Sequence, residues 1–476
     1  MKKLNIYLII LITGIISISS SCKKVLDIPP PNETLSQNAL ESTQDYQNLL
    51  NSAYNSVANA LGGNALIFNE ILSDNLEKPF NNNDFTEVFN HNTLFFNGTI
   101  SYFYGQPYEA VFRANYLMEH ADDKGVLSAA DKNRMLAECR FIRALSHFEL
   151  LKLFAQPYGY TSSNSHLGIV IKKTSSPKPL ARNTVKEGFD FIIEELKYAI
   201  ANLPVSNGNY ADKNAAKALL AKVYFCMNGY TEAGKSNYSL AAQYADEVIS
   251  SGAYTLSDTG NVFASAGASE VIFKIVSTSS SDNRAGAFNG NYRCDGGKNP
   301  QLRFTKELYI MAKDTTGGAD KRGNYFELFN AGKENEYIGY NKFNMDYFNV
   351  AYLHLTDMKL LRAEALAESG GSLTVAIQDV NDIKKRAYGT GSTKILSSSA
   401  VASDVITAAR YERRLEMAGE GDRVFQMKRM GAKGELINGL PVKIRKAPWN
   451  CPGMILQFPI AERTSVFIMN ETGGCN

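Results

Sequence analysis

The sequence predicts a mainly α-helical protein in which tetratricopeptide-like helical hairpins form a scaffold with long loop and short β insertions. Two observations carry this prediction. Apolar residues recur with helical spacing over most of the 476-residue chain. In two places, paired helices combine small alanines with large apolar residues, as in tetratricopeptide repeats. No fixed repeat period is present, so we expect helical hairpins and not a regular solenoid.

The N-terminus predicts export. Lys2 and Lys3 precede an apolar stretch from Leu4 to about Ile18, and three serines follow it, which is the order of a secretory signal. The apolar stretch is shorter than the about 20 residues that a bilayer-spanning helix needs. Cys22 follows the serines, where bacterial lipoproteins are cleaved and acylated, so we predict lipidation of Cys22. The alternative is a soluble secreted protein in which Cys22 is an ordinary thiol.

The domain organisation follows from the lack of an internal linker. We expect a signal peptide over residues 1–21 and a lipid-anchored tether over residues 22–40, stiffened by Pro29 to Pro31. Residues 41–476 are predicted to form a single domain. Its parts are an N-terminal helical part (41–255), a loop-rich insertion (256–350), and a C-terminal helical part with a closing segment (351–476).

The helices are predicted from apolar periodicity and from capping residues. Ser128, Thr184 and Asp212 stand where a side chain can cap the first turn. The predicted helices cover residues 43–61, 128–154, 184–203, 212–229 and 239–251, and the last two form one hairpin. Residues 357–388 form a second hairpin that turns at Gly370 and Gly371.

Two segments have a different character. Residues 269–278 predict a strand, after which glycine, asparagine and aromatic residues dominate to about residue 350; residues 80–108 form a comparable stretch. Long insertions on a rigid scaffold usually carry function. In residues 80–108, nine aromatic residues alternate with six asparagines, and rings beside amides suit sugars. Trp449 is the single tryptophan, which weakens the case for a glycan ligand.

Composition and motifs exclude several functions. Fifty basic and 48 acidic residues give a net charge of +2 without long runs of either sign, so we expect no nucleic-acid partner. No HExxH, CxxC, GxSxG or GxGxxG pattern occurs and the five histidines are widely spaced. We therefore expect no enzyme activity, no metal and no cofactor. A glycan-cleaving enzyme stays as an alternative, because hydrolysis needs only two carboxylates across a cleft.

The cysteines fall into two groups. Cys139 and Cys226 lie in apolar helical patterns and are predicted to be buried thiols. An oxidising exterior would permit a disulfide between Cys451 and Cys475, and the five mature cysteines leave at least one unpaired.

The stretch from Glu412 to Gly431, ERRLEMAGEGDRVFQMKRMG, is the most distinctive. It predicts a helix ending near Ala418, a break at the two glycines, and a second short helix capped by Asp422. Its charges could form a phosphate site. We prefer an ionic lock, in which glutamates and arginines three and four residues apart pair around the bend. The lock residues are Glu412, Arg413, Arg414, Glu416, Glu420 and Arg423.

This stretch resembles the C-terminal signature of the SusD/RagB family, E-R-R-x-E-L-x-x-E-G-x-R-x-x-D-L-x-R. It departs at Gln426, where aspartate is common, and His354 stands where the family often has arginine. Further resemblances follow in the family's order along the chain: residues 22–30, 138–158, 216–224, 320–322, 363–366 and 456–460.

The resemblance implies a lipid-anchored outer-membrane protein, facing the cell exterior, that captures a nutrient and delivers it to a SusC-like TonB-dependent transporter. The ligand in the family is usually an oligosaccharide, whereas RagB-like members serve peptide uptake, so both classes stay open. A periplasmic helical-repeat adaptor is the alternative of another class. By position, the implied ligand contacts are Asp74, Phe80, Phe95, Phe96, Asn97, Tyr292, Arg293 and Tyr325.

Overall fold

The computed structural model describes residues 40–121, 123–232 and 234–475. The predicted signal peptide, Cys22 and most of the tether lie outside the described residues. The α-helices, numbered in chain order, are α1 (Thr43–Leu61), α2 (Asn64–Leu72), α3 (Asn83–Phe89), α4 (Gly98–His120), α5 (Ala129–Phe154), α6 (Val185–Asn202), α7 (Lys213–Cys226), α8 (Asn237–Ile249), α9 (Gly286–Tyr292), α10 (Lys306–Ala312), α11 (Leu355–Ser369), α12 (Leu373–Tyr388), α13 (Ala402–Glu416) and α14 (Arg423–Ala432).

The predicted caps begin the helices as expected. The side chains of Ser128, Thr184 and Asp212 each accept a hydrogen bond from a backbone N–H in the first turn of α5, α6 and α7. Each of these bonds satisfies an N–H that has no partner within the helix. Capping therefore determined where these helices begin, because it depends on residues adjacent in sequence.

The helices pack in pairs along one array. Contacts run from α1 to α4, α5, α6, α7 and α8 in turn, and then from α8 to α11, which packs on both α12 and α13. Gly370 ends α11 in the left-handed conformation (φ 70°) and allows the tight turn into α12. The predicted scaffold of helical hairpins is confirmed.

The interpretation of residues 80–108 as a loop insertion was wrong, because α3 and the first half of α4 occupy much of it. Asn82 and Asn97 cap these two helices. The rings of Phe85 and Phe103 pack edge to face on Phe68 in the core. Burial of these rings outweighs the weak helix propensity of a segment rich in asparagine and glycine.

The strands form two-stranded antiparallel sheets in the described part of the chain. They are β1 (Thr231–Glu232), β2 (Lys235–Ser236), β3 (Val271–Ile275), β4 (Phe326–Phe329), β5 (Tyr337–Tyr340), β6 (Val350–His354), β7 (Leu436–Ile437), β8 (Leu440–Pro441), β9 (Lys443–Ile444) and β10 (Ala447–Pro448). The strand predicted over residues 269–278 is β3, which pairs with β6. Strands β4 and β5 form a hairpin in which Phe329 lies opposite Tyr337.

One large hydrophobic core extends under both the helices and the insertion. Its insertion side is aromatic: the Tyr292 ring contacts the rings of Phe288, Phe304 and Phe343, and Phe288 also contacts Phe343. A smaller cluster lies between α11, α12 and α13. Throughout residues 40–121, 123–232 and 234–475, no helix combines the length and apolar character needed to cross a membrane.

The cysteines occupy the expected environments. Cys139 and Cys226 are buried free thiols, as predicted, and Cys294 is a third. Cys451 and Cys475 form a disulfide. It closes the C-terminal segment, which hydrogen-bonds to the end of α5 through Leu456.

The six lock residues all form ion pairs, but the predicted partners within the stretch were wrong. Arg413 pairs with Asp422 of the same stretch and also with Asp357 of α11. The other partners come from distant segments, as follows: Glu412 with Arg322 and Lys384, Glu416 with Arg322 and Arg386, Glu420 with Lys342 and His354, Arg414 with Glu307 and Asp74, and Arg423 with Asp74. The stretch therefore joins α13 and α14 to the insertion and to α11 and α12.

Asp422 occupies the first position before α14, but its side chain makes no capping hydrogen bond. Its carboxylate accepts from Arg413 instead, at 2.8 and 2.9 Å. A buried guanidinium offers a charge-assisted, two-pronged bond, which is stronger than a neutral cap. The predicted Asp422 cap was therefore wrong for a tertiary reason.

Candidate functional site

A cleft of about 540 Å³ opens beside the β4–β5 hairpin, and we call it the hairpin cleft. Its walls come from three separate parts of the chain: Phe80, the segment from Cys294 to Arg303, and the hairpin with the Asn341–Asn344 segment. Apart from Phe80, its walls lie in the insertion, beside the aromatic part of the core.

An aromatic stack forms one wall. The rings of Phe329 and Tyr337 lie parallel, with centroids 4.9 Å apart and an interplanar angle of 6°. The guanidinium of Arg303 lies 4.3 Å from the Tyr337 centroid and 4.5 Å from that of Phe80. Phe80 is 40% exposed. The wall thus alternates apolar ring faces with one cation, the kind of surface on which sugar C–H faces stack.

Amide side chains line the rest of the cleft: Asn299, Asn330, Asn335, Asn341 and Asn344. Several are oriented by the protein. Asn344 donates to the Asn341 Oδ1 at 2.8 Å and accepts from the Cys294 N–H at 3.0 Å. Each amide has both donor and acceptor capacity, so the cleft offers directional partners for hydroxyl groups.

Backbone pairing holds these segments together. The Phe80 N–H donates to the Gln301 carbonyl and the Glu77 N–H to the Arg303 carbonyl, both at 2.9 Å. Phe304 in turn bridges to Leu76 on one side and to Ile338 of β5 on the other. The Phe80 segment, the Arg303 segment and the hairpin therefore form one continuous strand-like surface.

Gly339 allows the ring wall to pack. A Cβ at this position would lie 2.6 Å from the Phe329 ring and 2.9 Å from the Cys294 Sγ. Such contacts are far inside van der Waals distance, so any side chain here would displace the Phe329 ring from Tyr337. The close approach of this strand therefore depends on glycine.

Arg293 lies behind the cleft and pairs with two carboxylates. Its guanidinium donates to Asp295 at 2.6 Å and to Asp346 at 2.8 Å. The Arg293 hydrogen bonds hold the pKa of Asp295 below its usual range. Glu327, the other carboxylate of the cleft, accepts from the Asn341 amide at 3.1 Å.

A second cleft, of about 440 Å³, is lined in part by residues 345–349. Its walls include Lys274, Asp346 and Tyr347, whose ring is 45% exposed. The ring pair and the row of amides belong to the hairpin cleft, which is therefore our candidate site.

The predicted ligand contacts are only partly brought together. Phe80 lines the hairpin cleft, and Arg293 lies just behind it. Tyr325 is half-buried, and its hydroxyl donates to the Thr259 carbonyl at 2.7 Å. Phe95 and Phe96 form a separate ring pair before α4, where Phe96 is 71% exposed.

Three other predicted contacts serve the fold. Tyr292 was a wrong prediction, because its ring is fully buried among other rings and cannot reach a surface ligand. Asn97 is buried, caps α4, and donates to Glu87 at 2.9 Å. Asp74 pairs with Arg423; burial alone would raise the pKa of Asp74, but this arginine lowers it to about 2.

Sequence reasoning missed Arg303, Phe329 and Tyr337. The available signal was the pair of short runs FELF and YIGY, both rich in aromatic residues and separated by a seven-residue stretch containing asparagine and glycine. Such a pair predicts a hairpin whose facing rings stack.

The sequence also contains a phosphate-binding pattern. Residues 229–236, GYTEAGKS, match the P-loop sequence. A P-loop follows a strand, whereas here α7 precedes the segment and β1 and β2 form a small hairpin within it. The structural context is therefore not that of a P-loop. Among the described residues, there is also no cluster of three or more His, Cys, Asp or Glu side chains suited to a metal ion.

Comparison with known proteins gives two family matches. A SusD-like family profile, described as starch-binding and associating with the outer membrane, matches residues 26–225. The SusD family profile matches residues 278–440. Together they cover most of both helical parts and most of the insertion, including the hairpin cleft.

Individual relatives agree with these matches. The SusD-like protein P38 of Formosa agariphila is 24% identical over an alignment of 498 positions, which covers 92% of this chain and 94% of the relative. A SusD-like protein of Bacteroides ovatus is 33% identical over 148 residues, only 30% of this chain and 26% of the relative.

Solved structures share the fold. A SusD superfamily protein from Bacteroides thetaiotaomicron superposes with a TM-score of 0.77 at 21% identity, covering 90% of this chain and all of that one. NanU of Bacteroides fragilis superposes with a TM-score of 0.73 at 18% identity, covering 94% of this chain and all of NanU. The predicted fold class is confirmed by these superpositions.

Proposed function

Because the chain belongs to the SusD/RagB family, we propose that it is a nutrient-binding protein of the outer membrane that captures a carbohydrate in the hairpin cleft. Delivery to a SusC-like TonB-dependent transporter is the next step that family membership implies. The observation that supports the carbohydrate is the combination of the Phe329–Tyr337 ring pair with the row of asparagines.

Ring faces and amides together match the two sides of a sugar. The C–H face of a pyranose stacks on an aromatic ring, while its hydroxyl groups need donors and acceptors at the edge. The hairpin cleft has this arrangement on a preformed surface, because backbone pairing orders all three segments. A preformed site loses little conformational entropy on binding.

Binding, not hydrolysis, is the function we propose. Members of this family are binding proteins, and Asp295 of the cleft is poorly suited to act as the acid of a glycosidase. A glycosidase needs one carboxylic acid with a raised pKa. Asp295 has a lowered pKa because Arg293 hydrogen-bonds to it. New reducing ends after incubation with a bound glycan would contradict this proposal.

We expect Tyr337→Ala to weaken glycan binding at least fivefold, because a lost stacking partner is worth about 1 kcal/mol and the ring also supports Phe329 and Arg303. The measurement is isothermal titration calorimetry on a soluble protein beginning after Cys22. The probe is the tightest ligand from a panel of maltoheptaose, xylohexaose, oligogalacturonate and a mixed peptide library.

Tyr347→Ala is the matched control, since Tyr347 is an exposed tyrosine of the second cleft. Its affinity should equal that of the unchanged protein. A larger loss with Tyr347→Ala than with Tyr337→Ala would move the site to the second cleft. Selective binding of the peptides alone would favour the RagB-like function instead.

Attachment through Cys22 is a separate prediction. Cys22 lies outside the described residues, and its role is proposed from the N-terminal sequence. Mass spectrometry of the mature protein should find an N-terminal acylated cysteine, and Cys22→Ala should move the protein from the membrane fraction to the soluble one. Detergent extracts of the unchanged protein should also contain a co-purifying TonB-dependent barrel. An unmodified N-terminus elsewhere would contradict the anchor.

A further inference from the structure

Arg303 is held in one orientation at the mouth of the hairpin cleft. Its guanidinium lies between the Phe80 and Tyr337 rings, 4.5 and 4.3 Å from their centroids. Its Nη2 donates to the Asn299 Oδ1 at 2.6 Å and its Nε to the Pro300 carbonyl at 3.2 Å. These contacts fix the plane of the group and use one edge of it.

The charge of Arg303 has no carboxylate partner. Among the ion pairs of residues 40–121, 123–232 and 234–475, none involves Arg303, and its Nη1 has no protein acceptor. This differs from arginines such as Arg322, Arg413 and Arg429, each of which pairs with a carboxylate. The guanidinium is a preorganised fork suited to a carboxylate or a similar anion.

In the described residues, no other charged group of the cleft wall pairs with Arg303. Lys298 also lines the cleft and forms no ion pair within the described residues. Of the two acidic residues in the wall, Asp295 pairs with Arg293, which also pairs with Asp346. Glu327 accepts a hydrogen bond from the Asn341 amide. An anion that enters the cleft therefore meets the Arg303 guanidinium with no carboxylate of the described residues already bound to it.

We propose that the hairpin cleft selects acidic carbohydrates, in which a carboxylate or sulfate group pairs with Arg303 while the sugar ring stacks on the aromatic wall. This inference rests on the proposed function, since it assigns the substrate class of the same site. Uronates and sulfated sugars share the required chemistry, a compact anion on a pyranose. The fork geometry of Arg303 favours an anion with two oxygens in one plane or on one face.

The test compares acidic glycans with neutral counterparts of the same backbone. One pair is oligogalacturonate and its methyl ester, and the other is a sulfated carrageenan oligosaccharide and its desulfated form. By calorimetry, the acidic member of at least one pair should bind tenfold or more tightly than its neutral partner. The preference should shrink as NaCl is raised from 50 to 300 mM, because salt screens the charges.

Variants identify Arg303 as the source of the preference. Arg303→Gln should abolish the discrimination, whereas Arg303→Lys keeps a charge and should retain part of it. Tyr337→Ala should weaken the acidic and neutral members together. Thermal unfolding of each variant is compared with that of the unchanged protein. If Arg303→Gln does not fold, Arg303→Lys and Lys298→Gln are tested in its place. Each of them should bind the acidic glycan with a smaller preference over its neutral partner than the unchanged protein does.

The outcomes separate this inference from the proposed function. Equal binding of acidic and neutral members, weakened by Tyr337→Ala, would overturn acid selection and leave carbohydrate capture standing. Unchanged discrimination in Arg303→Gln would also overturn the assignment to Arg303. Binding of acidic peptides in preference to every glycan would overturn both the acid selection and the proposed capture of a carbohydrate.

Discussion

Replacing Arg413 with methionine is expected to lower the free energy of unfolding by about 3 to 5 kcal/mol, as for other buried ion pairs that lose one partner. The Arg413 side chain is 3% exposed and bridges Asp357 of α11 and Asp422 before α14. Methionine fills much of the same volume but leaves the buried Asp422 carboxylate without a cation.

The geometry of the fork makes lysine a partial substitute only. Arg413 donates to both oxygens of Asp422, at 2.8 and 2.9 Å, which a lysine cannot do while also reaching Asp357. We therefore expect Arg413→Lys to fall between the unchanged protein and Arg413→Met.

Denaturation in urea measures both variants. Lys186→Met is the control, because Lys186 and Asp190 form an exposed pair on α6, and such pairs contribute less than about 1 kcal/mol. If Arg413→Met lost no more stability than Lys186→Met, the lock would have no part in holding α13 and α14 to α11.

Gly421→Ala is expected to lower the free energy of unfolding by about 2 to 5 kcal/mol, because backbone strain and overpacking add together. Gly421 has a φ of +71°, and a Cβ there would lie 2.5 Å from the Leu66 carbonyl oxygen of α2. Since the obstacle is backbone, it cannot move aside as a flexible side chain would.

The same backbone position also supports Glu70. The Gly421 N–H donates to the Glu70 carboxylate at 2.9 Å, and burial raises the pKa of Glu70 to about 7. Displacing Gly421 would remove a hydrogen bond from a fully buried acid, which adds to the loss.

Gly434→Ala separates the effect of backbone strain from that of overpacking. Gly434 has a similar φ of +79°, but no atom lies within 4 Å of the position of its Cβ. Its substitution should cost only the conformational strain, about 1 to 2 kcal/mol. Equal losses for the two alanine variants in urea denaturation would contradict the close packing of Gly421 on α2.

Local signals predicted the helices well. Helix α1 has the bounds that its apolar spacing predicts, Thr43–Leu61, and the Thr184 and Asp212 caps begin α6 and α7. These signals are reliable because periodicity and capping involve residues a few positions apart. The prediction for the segment after Phe80 was wrong because a long-range contact decided its structure: the burial of Phe103 against Phe68 made it helical.

The candidate site was only partly predictable. Phe80 was named because the family's ligand loops correspond in position to its aromatic segment, and it lines the hairpin cleft. Arg303 and Tyr337 lie in different segments and meet it only in the fold. Tyr292 shows the opposite error, a predicted ligand contact that is buried in the core. A ring beside glycines and asparagines can be exposed or buried, and only packing decides between them.

The sequence by itself determined the helical hairpins, the family resemblance, and which charged residues around the two glycines form the lock. Only the tertiary structure decided that Arg413 pairs with Asp357, that Glu412 pairs with Arg322, and that Phe80, Arg303 and Tyr337 form one wall. The physical reason is the distance along the sequence over which each interaction acts. Capping and periodicity act along a few residues, whereas ion pairs and clefts depend on which distant segments the hydrophobic core brings together.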